Sequence, residues 1–383
     1  MPHTPTQLLP GGVARFCEYM LSRRIVGMRI FMRKALIVFG ALAFSLLHPA
    51  AAVAGPALLF EASSGKVIYA EDPDRLWHPA SLTKIMTAYV AFEAIKEGRL
   101  TKDSKIVASE VSVKEPPSKV GLPVGASISL DLALKALIVK SANDVAVMLA
   151  EAVSGDVGKF VELMNATAKR LGMTRTHFAN PNGLPEDAQV TTARDLAKLS
   201  QAMVRDFPQY AELWSMPSFT IGKQRLSSHN GLLRTFEGAD GLKTGFICDS
   251  GFNIVASATR DGLRLMAVVL GEPSAKDRTI RASSLLEYGF EHYGWKMFFS
   301  TINLDTLPVD QRPQPVASIR DKVLSWGCGY RPSKSVKRNT LKRRKKALAA
   351  ARAKKRAKES AHDDSFKPTT TSSVNKPATV SGN

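Results

Sequence analysis

Ser81 and Lys84 stand three residues apart in His78-Pro79-Ala80-Ser81-Leu82-Thr83-Lys84, at the head of an apolar run. If Pro79 opens a helix there, the two side chains share one face, one turn apart. A serine hydroxyl is a weak nucleophile until a base removes its proton. A lysine amine becomes such a base when burial or a neighbouring cation lowers its pKa. A serine at a helix start also aims its backbone N–H at a developing oxyanion. Four residues prove little, because chance spacing on a helix surface produces the same pair. Ser141-Ala142-Asn143 is a second polar segment, set between an apolar run ending at Lys140 and another beginning at Asp144. Ser141 could relay a proton and Asn143 could donate to a substrate amide. Judged alone, helix capping by Asn143 or Asp144 accounts for them better. Lys243-Thr244-Gly245 is the third, just after Gly238-Ala239-Asp240-Gly241. On a strand bordering a cleft it would offer a cation, a hydroxyl donor and a glycine that lets substrate backbone approach closely. By itself that motif, too, says little.

The elements that would position these residues follow from periodicity. Apolar runs at 57–60 and 67–69 flank a Ser63-Ser64-Gly65-Lys66 turn and read as a β-hairpin. Helical spacing marks 82–96, 130–140, 144–153, 157–171 and 192–205. Two further strands, 252–258 and 263–270, join at Arg260-Asp261-Gly262, and 283–288 is helical again. Strands at both ends with helices between them predict an α+β fold: an antiparallel sheet closed by the two termini and flanked by helices, with a helical lobe inserted.

The chain has 383 residues, 44% hydrophobic and 23% charged, which suits one large domain plus extra segments. Its net charge of +19 would suggest a nucleic-acid partner if it were spread over the chain. It is not. Residues 1–34 carry +5, and 331–358 carry fourteen Arg/Lys and no acid, whereas 55–330 holds 31 basic and 30 acidic residues. Anionic-surface arguments therefore apply only to the ends. Residues 35–47 form a thirteen-residue apolar run after Arg33-Lys34, followed by Ala52-Val53-Ala54. The run is too short to span a bilayer, and with the basic flank and small-x-small site it reads as a signal peptide in a leader of residues 1–54. More than thirty residues precede the run, so translation is expected to start at Met28 or Met32. The predicted layout continues with a catalytic domain over 55–292, a connecting segment over 293–332 and a basic tail over 333–383 that lacks the apolar residues for a core. The tail reads first as solvated chain and second as an attachment to an anionic envelope surface. No nucleic-acid partner is expected for an exported protein. Cys248 and Cys328 could pair in an oxidising compartment, but a separation of 80 residues leaves the pairing open.

Order and spacing alter the weight of the three motifs. S-x-x-K near the expected mature N-terminus, S-x-N about sixty residues later and K-T-G about a hundred after that match the set used by penicillin-binding proteins. The chain resembles the low-molecular-mass penicillin-binding proteins, the D-alanyl-D-alanine carboxypeptidases of peptidase family S11. Phe178-Ala179-Asn180-Pro181-Asn182-Gly183-Leu184, Gly251-Phe252-Asn253 and Leu285-Leu286-Glu287-Tyr288-Gly289-Phe290 extend the likeness over about 57–293. The resemblance implies the transpeptidase fold shared with β-lactamases, and a cell-wall stem peptide ending in D-Ala-D-Ala as substrate. It implies catalysis by Ser81, Lys84 and Ser141. Ser81 would be acylated, with Lys84 as base and Ser141 passing a proton to the leaving D-alanine. β-Lactams would form a covalent adduct. The backbone N–H groups of Ser81 and Phe246 would make the oxyanion hole. Substrate binding would fall to Asn143, Lys243, Thr244, Gly245 and Phe246. Arg278 stands where the family has a carboxylate-binding arginine; an arginine on an exposed strand-to-helix turn is the other reading. No metal or cofactor is implied, and the oligomeric state is left open.

The chain departs from many relatives after Phe246, where Ile247, and then Cys248, stand in place of the usual threonine, leaving a free thiol near the cleft if Cys248 is unpaired. The stretch 293–330 is too short for the β-rich C-terminal domain of many members, and the basic tail stands where they have an anchor helix. A class A β-lactamase would need a glutamate to activate water. Glu162-Leu163-Met164-Asn165 offers one, but inside the helical run 157–171, so it reads as helix surface. DD-endopeptidase activity at the same site and a non-catalytic peptidoglycan-binding protein are the remaining alternatives; the intact Ser81, Lys84, Ser141 and Lys243 weigh against the latter.

Overall fold

Strict alternation of apolar side chains builds the centre of the molecule. In β1 (Ala57–Glu61), Leu58 and Phe60 face one way and Leu59 the other. In β8 (Gly251–Arg260), Val255 opposes Ile254 and Ala256, and in β9 (Leu263–Glu272), Met266, Val268 and Leu270 oppose Leu265, Ala267 and Val269. A strand apolar on both faces must be covered on both, and this sheet is. The computed structural model describes residues 55–299, 301–312 and 314–329. With β2 (Val67–Glu71) and β7 (Ala239–Ile247), the strands form one antiparallel sheet in the order β2-β1-β9-β8-β7. The N-terminal hairpin thus pairs with β9, and the sheet is closed by the two ends of the domain, as the sequence predicts.

One sheet face carries the helical lobe. Helix α1 (Thr83–Lys96) runs through its middle, and residues 83–92 are all buried, Lys84 among them. A helix apolar around its whole circumference belongs in a core rather than on a surface. Around it pack α2 (Leu130–Lys135), which runs into a π-helical turn at 136–140, then α3 (Asn143–Ser154), α4 (Val157–Arg170) and α5 (Ala193–Asp206). A short helix α6 (Ala211–Ser215) precedes β7. Two small hairpins that periodicity did not reveal, β3 (Lys105–Val107) with β4 (Ser127–Ser129) and β5 (Ser218–Ile221) with β6 (Gln224–Ser227), decorate the lobe. The other face is covered by α7 (Ala275–Phe299), through Ala282 and Leu286.

The expected boundary between 292 and 293 falls inside α7. Beyond it the chain crosses back over the domain. Val67 N–H donates to Ile302 O at 3.0 Å, and Leu304 N–H to Gly65 O at 3.0 Å. The buried Arg194 binds Asp74 bidentately at 2.6 and 2.8 Å and donates to the carbonyls of Leu304, Leu307 and Pro308. Ile319 N–H donates to Asp249 O at 2.9 Å, and Cys248 is disulfide-bonded to Cys328. The two cysteines left open by the sequence are therefore paired, and the free thiol beside the cleft is not present. Closing a loop of 80 residues removes chain entropy from the unfolded state, so Cys328→Ser is expected to lower unfolding free energy by about 2–4 kcal/mol, measured by urea titration. An unchanged urea midpoint would show that the bond adds nothing to stability. The expected leader over 1–54 and the basic tail over 333–383 lie outside the described residues.

Candidate active site

The turn that carries Ser81 is tight. Pro79 precedes a 3-10 turn at Ala80–Leu82, which continues directly into α1. Ala80 takes a φ of +49°, a left-handed conformation that costs an L-residue about 1 kcal/mol and has to be held by its surroundings. Two glycines do the holding. A Cβ on Gly245 would stand 2.9 Å from Pro79 O and 3.1 Å from Ser81 N. At Gly183, whose φ is +86°, a Cβ would overlap the Ala80 carbonyl and stand 2.9 Å from Ser81 N. The space freed by Gly245 thus receives the Ser81 turn itself, and Gly245 on β7 lies against Ser81. Asn253 on β8 fixes the same turn from below: its Nδ2 donates to His78 O at 3.2 Å, and its Oδ1 accepts from Gly271 N–H at 2.9 Å.

Lys84 follows on the first turn of α1 and is 0% exposed. Its Nζ lies 3.1 Å from Ser81 Oγ and 2.7 Å from Asn143 Oδ1, and it donates to Asn182 O. Burial, and next the nearby cation of Lys243, hold its pKa well below the ordinary lysine value. A neutral amine has two N–H bonds and one lone pair. Asn143 Oδ1 and Asn182 O can only accept, so in the neutral form they would take both hydrogens and leave the lone pair for the Ser81 hydroxyl. The pairing read from i, i+3 spacing is thus present, with two acceptors added that the spacing did not reveal.

Ser141 ends the π-helical turn in a left-handed conformation, φ 61° and ψ 39°, and is buried beside Asn143. Capping was the simplest reading of this segment, but the cap position of α3 is Ala142, with no side-chain cap. Asn143 instead holds Lys84, and its Nδ2 donates to Pro116 O at 2.9 Å. The Asp144 carboxylate accepts from the backbone N–H groups of Val120, Gly121 and Val145 at 2.8 to 3.1 Å. A cleft of about 410 Å³ is lined by Ser81, Ser141, Asn143, Thr244, Phe246 and Arg278, among others.

Lys243 is buried next to this cleft, and desolvation, with the charge of Arg278 adding to it, brings its pKa down to about 7. Arg278 is 5% exposed, not a surface arginine, and burial lowers its pKa to about 10. Among the described residues its Nε has no hydrogen-bond partner, and its Nη2 donates to His229 O at 3.4 Å. Two poorly compensated cations at one end of a cleft suit an arriving carboxylate. Phe246 and Phe252 stack at 4.2 Å across the β7–β8 pair and form an apolar wall there. Of the nine residues singled out from the sequence, Ser81, Ser141, Asn143, Thr244, Gly245, Phe246 and Arg278 line this cleft, while the buried Lys84 bonds to Ser81 and Asn143 and the buried Lys243 neighbours Lys84 and Arg278. Sequence reasoning missed the roles of Asn182 and Gly183, although their segment was noted, and of Asn253. It gave no hint of His229 at the rim. Glu162 is exposed on α4, and Asn165 is spent on the backbone of Phe178, so the E-x-x-N segment is helix surface as expected.

Comparison with known proteins agrees with this geometry. Residues 45–274 match the family model for D-alanyl-D-alanine carboxypeptidases, peptidase S11. D-alanyl-D-alanine carboxypeptidase DacA of Haemophilus influenzae is 36% identical over 242 residues, 62% of this chain and 61% of that protein. DacC of Escherichia coli is 36% identical over 252 residues, 64% of this chain and 62% of that protein. The chain thus covers about three fifths of the length of these curated relatives. Penicillin-binding protein 5 from Haemophilus influenzae superposes with a TM-score of 0.61 at 36% identity, over 64% of this chain and 73% of that one. Penicillin-binding protein D2 from Listeria monocytogenes, in its cefotaxime-bound form, gives 0.57 at 33% identity, over 62% and 97%. The fold is that of the penicillin-binding DD-peptidases, and the chain belongs to peptidase family S11, the D-alanyl-D-alanine carboxypeptidases.

Proposed function

We propose that the protein is a serine D-Ala-D-Ala carboxypeptidase that removes the terminal D-alanine from peptidoglycan stem peptides. The observation that carries this is the buried Lys84 amine, its pKa held well below the ordinary lysine value, with Nζ 3.1 Å from Ser81 Oγ. Ser81 Oγ attacks the carbonyl between the two alanines while Lys84 Nζ takes its proton. The oxyanion that forms is met by the N–H groups of Ser81 and Phe246. The C–N bond then breaks, Ser141 passes the proton held by Lys84 to the departing amine, and D-alanine leaves with Lys84 neutral again. Water hydrolyses the ester on Ser81, with Lys84 taking its proton and returning it to the released Ser81 oxygen. Asn143 and Thr244 hold the peptide, and Lys243 and Arg278 face its terminal carboxylate. A β-lactam, which carries the same carbonyl and carboxylate, acylates Ser81 likewise. The Cys248–Cys328 bond supports an oxidising, exported location in the cell envelope. Among the described residues no helix is long and apolar enough to cross a membrane.

The test is product identification with a pentapeptide ending in D-Ala-D-Ala and with a cross-linked dimer. Free D-alanine from the pentapeptide supports the assignment. Cleavage of the dimer alone makes the protein a DD-endopeptidase, and cleavage of neither refutes a peptidase. The carboxylate site adds a pH signature. Lys243 is cationic below about pH 7 and neutral above it, so peptide binding weakens as pH rises. KM is expected to climb by up to about tenfold per pH unit above that point, and Lys243→Met to remove the dependence. A KM flat from pH 6 to 9 in the wild type would show that Lys243 does not hold the carboxylate.

A further inference from the structure

Glu115 is a half-buried carboxylate beside the site that the mechanism above does not use. It sits in a segment sewn to the catalytic residues. Pro116 O accepts from Asn143 Nδ2 at 2.9 Å, Ser118 O accepts from Asn143 N–H at 2.7 Å, and Ser118 Oγ donates to Lys140 O at 2.9 Å. Glu115 Oε2 accepts from Asn182 Nδ2 at 2.9 Å. Asn182 is 2% exposed, and its carbonyl is one of the two acceptors that fix the Lys84 amine. One side chain therefore ties Glu115 to the base.

We propose that Glu115 is a positioning residue for Lys84, holding the Asn182 carbonyl on Nζ and setting, by its negative charge, how readily that amine takes a proton. The proposal rests on Lys84 being the base. Glu115 does not touch the reacting atoms; it acts through Asn182 and through the field. The charges that face Lys84 are Lys243 from β7, which disfavours its protonation, and Glu115 and Asp144, which favour it. Asp144 is held by three backbone N–H groups, and Lys243 is faced by Arg278. Glu115 is faced by Lys84, Asp144 and Lys119, and burial raises its own pKa above the usual carboxylate value. Without Glu115, Lys243 dominates, and Lys84 stays neutral to a lower pH. The carboxylate thus keeps the amine basic enough to accept the serine proton in a site that otherwise strips its charge.

The test is the second-order rate of acylation by a fluorescent penicillin from pH 5 to 10, for wild type, Glu115→Gln, Glu115→Ala and Lys84→Ala. The glutamine keeps an acceptor for Asn182 but has no charge, so its acid limb should move to lower pH by about half a unit or more. The alanine loses both and should show the same shift with a plateau lower by about tenfold. An acid limb of Glu115→Gln that coincides with wild type overturns the proposal, because a purely structural carboxylate would leave it unmoved. Lys84→Ala separates this from the reading beneath it. An inert Lys84→Ala with an unmoved Glu115→Gln limb sinks only the role of Glu115. Wild-type acylation by Lys84→Ala sinks the base assignment itself.

Discussion

Ser81→Ala is expected to abolish both penicillin labelling and D-alanine release, a loss of at least ~10⁴-fold in kcat. In the proposed mechanism Oγ becomes the ester oxygen, and among the described residues Ser81 is the hydroxyl that the Lys84 amine reaches. The fold should survive. The Ser81 hydroxyl caps no helix, and in its absence Lys84 Nζ keeps Asn143 Oδ1 and Asn182 O. A melting temperature near that of wild type, with no fluorescent band and no free D-alanine, is the expected pattern. Retained D-alanine release in this variant would refute the assignment of the nucleophile.

Gly183→Ala should come close to that effect without touching a reacting atom. At φ +86°, the added methyl overlaps the Ala80 carbonyl and lies 2.9 Å from Ser81 N, so it presses on backbone, not on a side chain that could swing away. Either the Ser81 turn moves, carrying off the proposed nucleophile and its backbone N–H, or the loop moves, carrying off the Asn182 carbonyl that binds Lys84. A displacement of about 1 Å at such a site costs on the order of 100-fold in acylation rate. Gly98→Ala is the matched control. Its φ is +74°, but nothing lies within 4 Å of the added carbon. The control should lose about 1–2 kcal/mol of stability and leave acylation unaffected. Equal acylation rates for the two variants would show that Gly183 is there for backbone conformation alone.

These contrasts mark what the sequence could and could not convey. The β1 strand, the α1 helix and the closing pair β8–β9 were legible because burial imposes a period of 2 or 3.6 on neighbouring residues. Ser81 and Lys84 were legible for the same reason, since helix geometry makes i and i+3 meet. The rest of the site depends on contacts that no local pattern encodes. Asn182 reaches Lys84 through a backbone carbonyl 98 residues away, and any residue type has a carbonyl. Gly245 was read as room for substrate backbone, yet its missing side chain also makes room for the Pro79–Ser81 turn, visible only once β7 is placed against that turn. The wrap of 301–329 was hidden because Arg194 and backbone groups hold it, in a stretch with no apolar period to announce it. Pairing of Cys248 with Cys328 likewise required the geometry.

Formation of an acyl-enzyme on Ser81 is the step from which the rest of the proposed chemistry follows. It is tested most directly by mass spectrometry of the wild-type protein after brief incubation with benzylpenicillin, followed by proteolysis. The expected result is one adduct of one penicilloyl group, on the peptide that contains Ser81. An unmodified protein, or an adduct on a different residue, would contradict it.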